Sequence, residues 1–183
     1  MRRPRPAQVG HTATRVGMPH WRPSRWRTSF RGSTPRRTNQ KSRAMPARVE
    51  TRGRARALQA LYAWDVRGEP DLLRIAATLW EDLQVQPGEL EFAEKLIRWI
   101  AASRTQLDAD LAEVTANWRV ERLGAIERCV LRLGIAEFAQ GLTPPKVVIQ
   151  EYVRMAERYG TARAASFVNG VLDAHARRVG AIA

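Results

Sequence analysis

The chain has 183 residues, a formal net charge of +13 at pH 7 and a single cysteine. This length fits one ordinary domain with or without an appendage, and one cysteine excludes an intramolecular disulfide. No apolar run approaches the roughly 18 residues of a membrane span, and the first residues lack the apolar segment of a secretory signal. We therefore expect a cytoplasmic protein that makes no use of a membrane.

The positive charge is concentrated at the N-terminal end. Residues 2–54 carry fifteen Lys or Arg residues and one acid, Glu50, whereas residues 55–183 carry sixteen basic and seventeen acidic residues. A strongly basic extension on a near-neutral body is typical of an arm that binds nucleic acid. The alternative is a solvated tail without a ligand. An organelle transit peptide is a further alternative, although the segment shows no amphipathic helical period.

Residues 1–46 are predicted to be a disordered Arg/Pro-rich tail, because they hold most of the prolines and few aliphatic residues that could build a core. Residues 47–183 form the predicted domain. Met45 would make a natural alternative start, which leaves open whether the segment before it is native. Trp21 and Trp26 interleave with arginines in that segment and could stack on bases.

From Arg52 onward, apolar residues recur at spacings of three and four, which predicts helices throughout. Seven helices are predicted, over residues of about 52–66, 70–83, 87–100, 104–117, 120–140, 144–159 and 164–178. The fifth is predicted to be the longest, and its broad apolar surface indicates a central helix with neighbours on more than one side. No stretch alternates with period two. The predicted fold is therefore an all-α orthogonal bundle of about seven helices.

The sequence offers no set of residues for catalysis. Two of the three histidines lie in the predicted tail, and we expect His175 to be a partly exposed helix residue. Cys129 is interpreted as a small core residue, and Glu91 with Lys95 as a surface ion pair. Zinc-ligand spacings, a P-loop and a nucleophile elbow are all missing. We therefore predict a binding protein that is not an enzyme and needs no metal or cofactor.

Three segments of the predicted domain carry a more specific pattern. They are RGRARALQALYAW at residues 52–64, NWRVERLGAIERCVLRLGIAEF at 117–138 and PPKVVIQEYVRMAERYGTARAASFVNGVLDAHAR at 144–177. The first resembles the basic first helix of the NusB family, the second its central helix and the third its last two helices. The order and spacing of all three are specific, and the resemblance covers residues of about 48–178.

The resemblance implies an all-α protein with two small helical subdomains. It also implies a transcription antitermination factor that binds single-stranded boxA RNA in the leader of ribosomal RNA transcripts. Such a factor acts together with the small-subunit ribosomal protein NusE, in a complex that keeps RNA polymerase from terminating early. Some members self-associate, so the resemblance leaves both a monomer and a homodimer open.

The resemblance also implies residues that bind RNA. Arg52 and Arg54 match arginines at the start of the family's first helix, and Arg48 lies in the same arm; their expected role is to neutralise phosphates. Lys146 matches a basic position in the first turn of a helix, where the helix dipole also favours phosphate. A lysine that is merely solvated is the alternative for Lys146.

Phe167 matches the aromatic residue of the family motif KFVNG and is the candidate platform on which a base would stack. Its alternative role is core packing at the start of a helix. Three positions depart from the family pattern: Ala55 replaces a frequent glutamate, Arg163 lies in a loop that is often acidic, and Ser166 stands where lysine is common. Arg163 should favour phosphate binding, and the missing lysine should oppose it. We therefore predict that RNA binding is retained.

Tyr62 and Glu127 are the candidate contacts for the protein partner, because both match family positions and an exposed acid would complement a basic ribosomal protein. A structural role is the alternative for each. Two other functions remain open. One is a helical scaffold that binds only protein, and the other is a stand-alone relative of the NusB-like domain of ribosomal RNA cytosine methyltransferases. The second would require an additional Rossmann-like domain with catalytic cysteines, which these 183 residues do not contain.

Overall fold

The computed structural model describes residues 49–115 and 123–182. Within these ranges the chain forms six helices and no strand. The helices are α1 (Val49–Arg67), α2 (Leu72–Asp82), α3 (Pro87–Val114), α4 (Ala125–Gln140), α5 (Pro145–Tyr159) and α6 (Ala164–Arg178). The all-α prediction is confirmed. The predicted tail, which contains Trp21 and Trp26, lies outside the described residues, and so does Arg48 at the start of the predicted domain.

Local sequence explains where several helices begin and end. The carboxylate of Asp71 accepts a hydrogen bond from Arg74 N at 2.9 Å and caps the start of α2. Proline occupies the first turn of both α3 and α5. Because backbone N–H groups in the first turn have no partner within the helix, the missing N–H of proline costs no hydrogen bond there. Gly141 ends α4 with a φ of +60°, a left-handed conformation that glycine adopts without steric cost.

The third and fourth predicted helices are one helix. Helix α3 runs for 28 residues, and only Ser103 departs from helical geometry, with φ −116° and ψ 19°. The pause in the apolar pattern between 100 and 104 therefore marks a kink and not a loop. Counting the two parts of α3 separately gives the predicted seven helical segments within the described residues.

The central helix is shorter than predicted. A helix was expected over 120–140, but α4 begins at Ala125, after the N-cap residue Gly124, and has 16 residues. Residues 116–122 are outside the described ranges. The prediction that this is the longest helix is wrong among the described helices, because α3 exceeds it. Its central position is correct, because α4 contacts α1, α3, α5 and α6.

The helices enclose one continuous hydrophobic core. Helix α1 packs mainly on α3 and also on α2, while α5 and α6 pack on each other and on α4. The largest fully buried side chains come from five of the six helices: Leu58, Leu61, Leu96, Ile97, Ile100, Leu107, Leu111, Leu131, Leu133, Ile135, Tyr152 and Leu172. Burial on this scale contributes most of the stability of a domain this size. No helix in the described ranges is long and apolar enough to cross a membrane.

Two single residues test the sequence interpretation of the core. Cys129 is 0% exposed, as predicted for a small core residue. The prediction that His175 is partly exposed is wrong, because His175 is 3% exposed and its ring lies 5.7 Å from that of Phe138. Burial, and then the charge of Arg178, lower the pKa of His175. The ring is therefore held neutral inside the bundle.

Candidate nucleic-acid interface

The N-terminal half of α1 presents two arginines that share one carboxylate. Arg52 Nε lies 2.8 Å from one oxygen of Glu89 and Arg56 Nε lies 3.0 Å from the other. The Glu89 side chain is 7% exposed, whereas those of Arg52 and Arg56 are 39% and 20% exposed. One acid against two guanidinium groups leaves an excess positive charge on this face. Such a charge, held in place and still reached by solvent, suits an anionic ligand.

A glycine allows this arrangement. A Cβ atom on Gly53 would lie 2.8 Å from Phe92 Cβ and 3.0 Å from the carbonyl oxygen of Glu89. The missing side chain therefore lets α1 approach the first turn of α3, which carries Glu89. At that position the Glu89 carboxylate also interacts favourably with the helix dipole.

Arg54 lies on the opposite side of α1. It is 3% exposed, and its Nε donates to Glu137 Oε2 at 2.9 Å. Its Nη2 donates to Glu137 Oε1 and to Thr143 Oγ1, the latter at 3.0 Å. Tyr152 Oη donates to the same carboxylate at 2.8 Å. These contacts join α1 to α4, to α5 and to the loop between them.

The expectation that Arg54 binds phosphate is therefore corrected. Residues two positions apart on a helix point about 200° away from each other, so Arg52 and Arg54 cannot serve the same surface. Burial by itself would lower the pKa of Arg54, but the hydrogen bond and charge of Glu137 outweigh it and the pKa is raised. Arg54 is a permanently charged structural residue. The spacing of four from Arg52 to Arg56 was the signal that could have identified Arg56 instead.

Lys146 lies where the sequence placed it. It is exposed in the first turn of α5, one residue after Pro145. The first turn of a helix also offers backbone N–H groups that have no partner within the helix. The hydrogen bond from Arg54 to Thr143 holds the preceding loop against α1. Lys146 is therefore an exposed cation on a segment that a hydrogen bond anchors.

The start of α6 carries Arg163 and Phe167. Arg163 is exposed, and its carbonyl oxygen accepts hydrogen bonds from Phe167 N at 3.2 Å and Ser166 Oγ at 3.1 Å. Phe167 is half-buried and packs against the core. Phe167 therefore contributes to the core as its alternative role predicted, and base stacking by the part that reaches the surface stays a prediction.

The end of α5 adds a residue that the sequence reading missed. The guanidinium carbon of Arg158 lies 5.5 Å from the ring centre of Tyr159, within the range of a cation–π contact. Burial raises the pKa of Tyr159, and the charges of Arg158 and Arg56 oppose that shift. The end of α5 therefore carries a positive charge, and the charge of Arg56 on α1 acts on the same tyrosine. A contact between two residues adjacent in sequence, such as Arg158 and Tyr159 in the last turn of α5, carries no periodic signal.

The two candidate contacts for a protein partner differ in the structure. Tyr62 is half-buried and packs against the core, so part of its side chain remains at the surface. Glu127 is 7% exposed, and its Oε1 accepts hydrogen bonds from Thr161 N at 3.2 Å and Thr161 Oγ1 at 2.9 Å. The expectation of an exposed acid at Glu127 is wrong, because this carboxylate is occupied inside the protein.

Comparison with known proteins decides the family of the chain. Residues 51–177 match the family model described as NusB family. The chain belongs to the NusB family. It is 40% identical over 126 residues to the transcription antitermination protein NusB of Anaeromyxobacter dehalogenans strain 2CP-1, a match that covers 67% of this chain and 87% of that protein.

Solved NusB structures share the fold. The T. maritima NusB structure is 30% identical, with a TM-score of 0.65, and the match covers 70% of this chain and 90% of that one. A crystal structure of antitermination factors NusB and NusE in complex with dsRNA contains a chain 29% identical to this one. That match has a TM-score of 0.66 and covers 73% of this chain and 99% of the other.

The structure locates the three departures from the NusB sequence pattern. Ala55 is 6% exposed and faces the core of the bundle. Arg163 and Ser166 are both exposed at the start of α6. Arg163 and Ser166 therefore lie at the surface near Phe167, whereas Ala55 lies in the packed interior.

Proposed function

We propose that this chain is a transcription antitermination factor without enzymatic activity. In this proposal it binds single-stranded boxA RNA of ribosomal RNA transcripts together with NusE, as part of the RNA polymerase antitermination complex. The observation that carries the proposal is the match to the NusB chain solved with NusE and dsRNA, which is covered over 99% of its length. The relatives' description as transcription antitermination proteins supports it.

The surface chemistry supports an RNA ligand. Arg52 and Arg56 are held by Glu89 with their outer edges accessible, and Lys146 and Arg163 are exposed. Cations of this kind give affinity by neutralising phosphates but carry little sequence information. In the proposal, Phe167 adds stacking on a splayed base, a contact that single-stranded RNA permits. Arg48 remains a proposed phosphate contact outside the described residues.

The proposal assigns Tyr62 to the NusE contact. Its half-buried ring can supply apolar area while its hydroxyl reaches a partner, a combination that is common at protein interfaces. Glu127 is not included, because its buried carboxylate already has hydrogen-bond donors within the chain.

The test is a titration of fluorescent boxA RNA, and of a scrambled RNA of equal length, with the full chain. Each titration is run with and without NusE at two salt concentrations, and is repeated with a chain that starts at Met45. We expect tighter binding to boxA than to scrambled RNA, further tightening with NusE, and a steep loss of affinity as salt increases.

One result would count against the proposal, and another would locate its specificity within the chain. Equal affinity for boxA and scrambled RNA, even with NusE present, would remove sequence-specific RNA binding. If NusE binds nonetheless, the helical scaffold that binds only protein becomes the better description. If the Met45 chain keeps the preference for boxA, the specificity belongs to the described domain and not to the basic tail.

A further inference from the structure

The loop between α5 and α6, residues 160–163, is tied to the first turn of α4. Thr161 donates two hydrogen bonds to Glu127 Oε1, from its backbone N at 3.2 Å and from its Oγ1 at 2.9 Å. Glu127 is 7% exposed, whereas residues 161–163 are exposed. A buried carboxylate on one helix therefore fixes an exposed loop between two others.

Two glycines make room for this carboxylate. A Cβ atom on Gly124 would lie 2.2 Å from Glu127 Oε2, and one on Gly160 would lie 3.4 Å from Oε1. The Gly160 position is crowded from other sides as well, because its Cβ would lie 2.6 Å from Ala164 Cβ. The Glu127 carboxylate thus sits between two segments of backbone that carry no side chain. This close fit leaves few other positions for the group.

The tie to Glu127 continues into the surface proposed to bind RNA. Ala164 N donates to the carbonyl oxygen of Thr161 at 3.0 Å, which joins the loop to the first residue of α6. The carbonyl oxygen of Arg163 then accepts from Phe167 N at 3.2 Å. Glu127 itself touches neither Arg163 nor Phe167 through any of these bonds. It acts on them only through Thr161.

We propose that Glu127 is a positioning residue for RNA binding. By holding Thr161, it fixes the loop so that Arg163 and Phe167 are already in place when RNA arrives. A loop ordered before binding does not lose that conformational freedom on binding, and affinity increases accordingly. The inference rests on the proposed RNA-binding function and adds the residue that organises the loop.

The test compares the full-length wild type with Glu127→Ala, Glu127→Gln and Thr161→Val. Glutamine keeps the Oε1 acceptor, so Glu127→Gln should bind boxA RNA within about twofold of wild type. Alanine removes the acceptor, and we expect a loss of about tenfold, which is the size expected for ordering the backbone of about one residue. Thr161→Val removes one of two hydrogen bonds and should fall between them. Adding it to Glu127→Ala should weaken binding no further.

Two measurements separate positioning from the loss of a phosphate contact and from unfolding. The dependence of affinity on salt should be the same for Glu127→Ala and wild type, because the same number of phosphates is neutralised. Hydrogen exchange at the Thr161 amide should accelerate in Glu127→Ala, while amides in the core stay protected. Glu91→Ala is the matched control. It also removes one acid, but from an exposed pair with Lys95 on α3.

Each result decides a different point. If wild type does not distinguish boxA from scrambled RNA, the proposed function fails and the RNA role of Glu127 fails with it. If wild type does distinguish them and Glu127→Ala binds as tightly as Glu91→Ala, only the positioning role is overturned. Equal weakening of Glu127→Ala and Glu127→Gln would also overturn it, because the negative charge, and not the acceptor, would then be required. If Glu127→Ala does not fold, Thr161→Val decides by the same comparison.

Discussion

The two faces of α1 use the same residue type in opposite ways. Arg52 has a side chain that is 39% exposed and shares Glu89 with Arg56, whereas Arg54 is 3% exposed and is bound by a carboxylate that is 0% exposed. The buried arginine must have a partner with matching geometry, because an unpaired charge in the core is very costly. Arg52 and Arg56 are only half-buried and share one acid between them, so this face keeps an excess of positive charge.

The comparison teaches that position on the helix, and not residue type, separates the structural arginine from the candidate RNA contacts. Both faces depend on an acid delivered by another helix, Glu89 from α3 and Glu137 from α4. The two faces differ in how deeply the arginines are buried: Arg54 is 3% exposed, whereas Arg52 and Arg56 are 39% and 20% exposed. Removing an arginine from the inner face should therefore affect folding, and removing one from the outer face should affect RNA binding.

The largest expected effect is from Arg54→Ala. The substitution leaves Glu137 buried without its cation, and losing one partner of a buried pair costs about 3–5 kcal/mol in the free energy of unfolding. Urea unfolding monitored by circular dichroism measures this loss. The matched control is Arg74→Ala on α2, whose pair with Glu69 is exposed and should contribute less than about 1 kcal/mol. Similar losses for the two variants would mean that the buried pair of Arg54 contributes no more to stability than an exposed pair.

An intermediate effect is expected where α1 meets α3. Gly53→Ala places a Cβ atom 2.8 Å from Phe92 Cβ and 3.0 Å from a backbone oxygen, so the helices must separate, at a cost of about 1–3 kcal/mol. Gly170→Ala on α6 is the control, because nothing lies within 4 Å of its Cβ position. That variant should gain roughly 0.5–1 kcal/mol, since alanine favours a helix over glycine. Thermal unfolding of both should shift in opposite directions.

The smallest expected effect on stability is from Arg52→Ala, which should change the free energy of unfolding by less than about 1 kcal/mol, because Arg52 is 39% exposed and Glu89 keeps its pair with Arg56. Its effect should appear in RNA binding. We expect weaker binding to boxA and to scrambled RNA alike, and a salt dependence reduced by about 0.7 in the logarithmic slope, the value for one phosphate of a single strand. Unchanged RNA affinity at low salt would remove Arg52 from the interface and would break the contrast between the two faces.

Most of the fold was accessible from the sequence, because apolar spacing and helix-ending residues are local signals. The predicted end of one helix at about residue 140 and the predicted start of the next at about 144 agree with the structure, where Gly141 ends α4 and α5 begins at Pro145. The kink at Ser103 was not accessible, since a pause in apolar spacing looks the same for a loop and for a bent helix. The start of α4 was placed too early because apolar residues continue upstream of Gly124.

The site was less accessible, because burial of a polar residue depends on partners distant in sequence. Arg54 meets Glu137, 83 residues away, and Glu127 meets Thr161, 34 residues away. Neither pairing leaves a periodic pattern in one sequence. A family match transfers the position of a residue but not the direction of its side chain. For Arg54 the helical repeat could have supplied that direction, since two residues correspond to about 200°.

The buried thiol of Cys129 makes it possible to measure how often the core of the protein opens. It is the single cysteine of the chain, its side chain is 0% exposed, and burial raises its pKa. Thiol reagents attack the ionised and accessible form, so modification must wait until α4 separates from its neighbours. The rate of labelling in dilute reagent therefore counts core openings. If bound RNA or NusE holds the helices together, the rate of labelling would fall even though the ligand does not contact the sulfur.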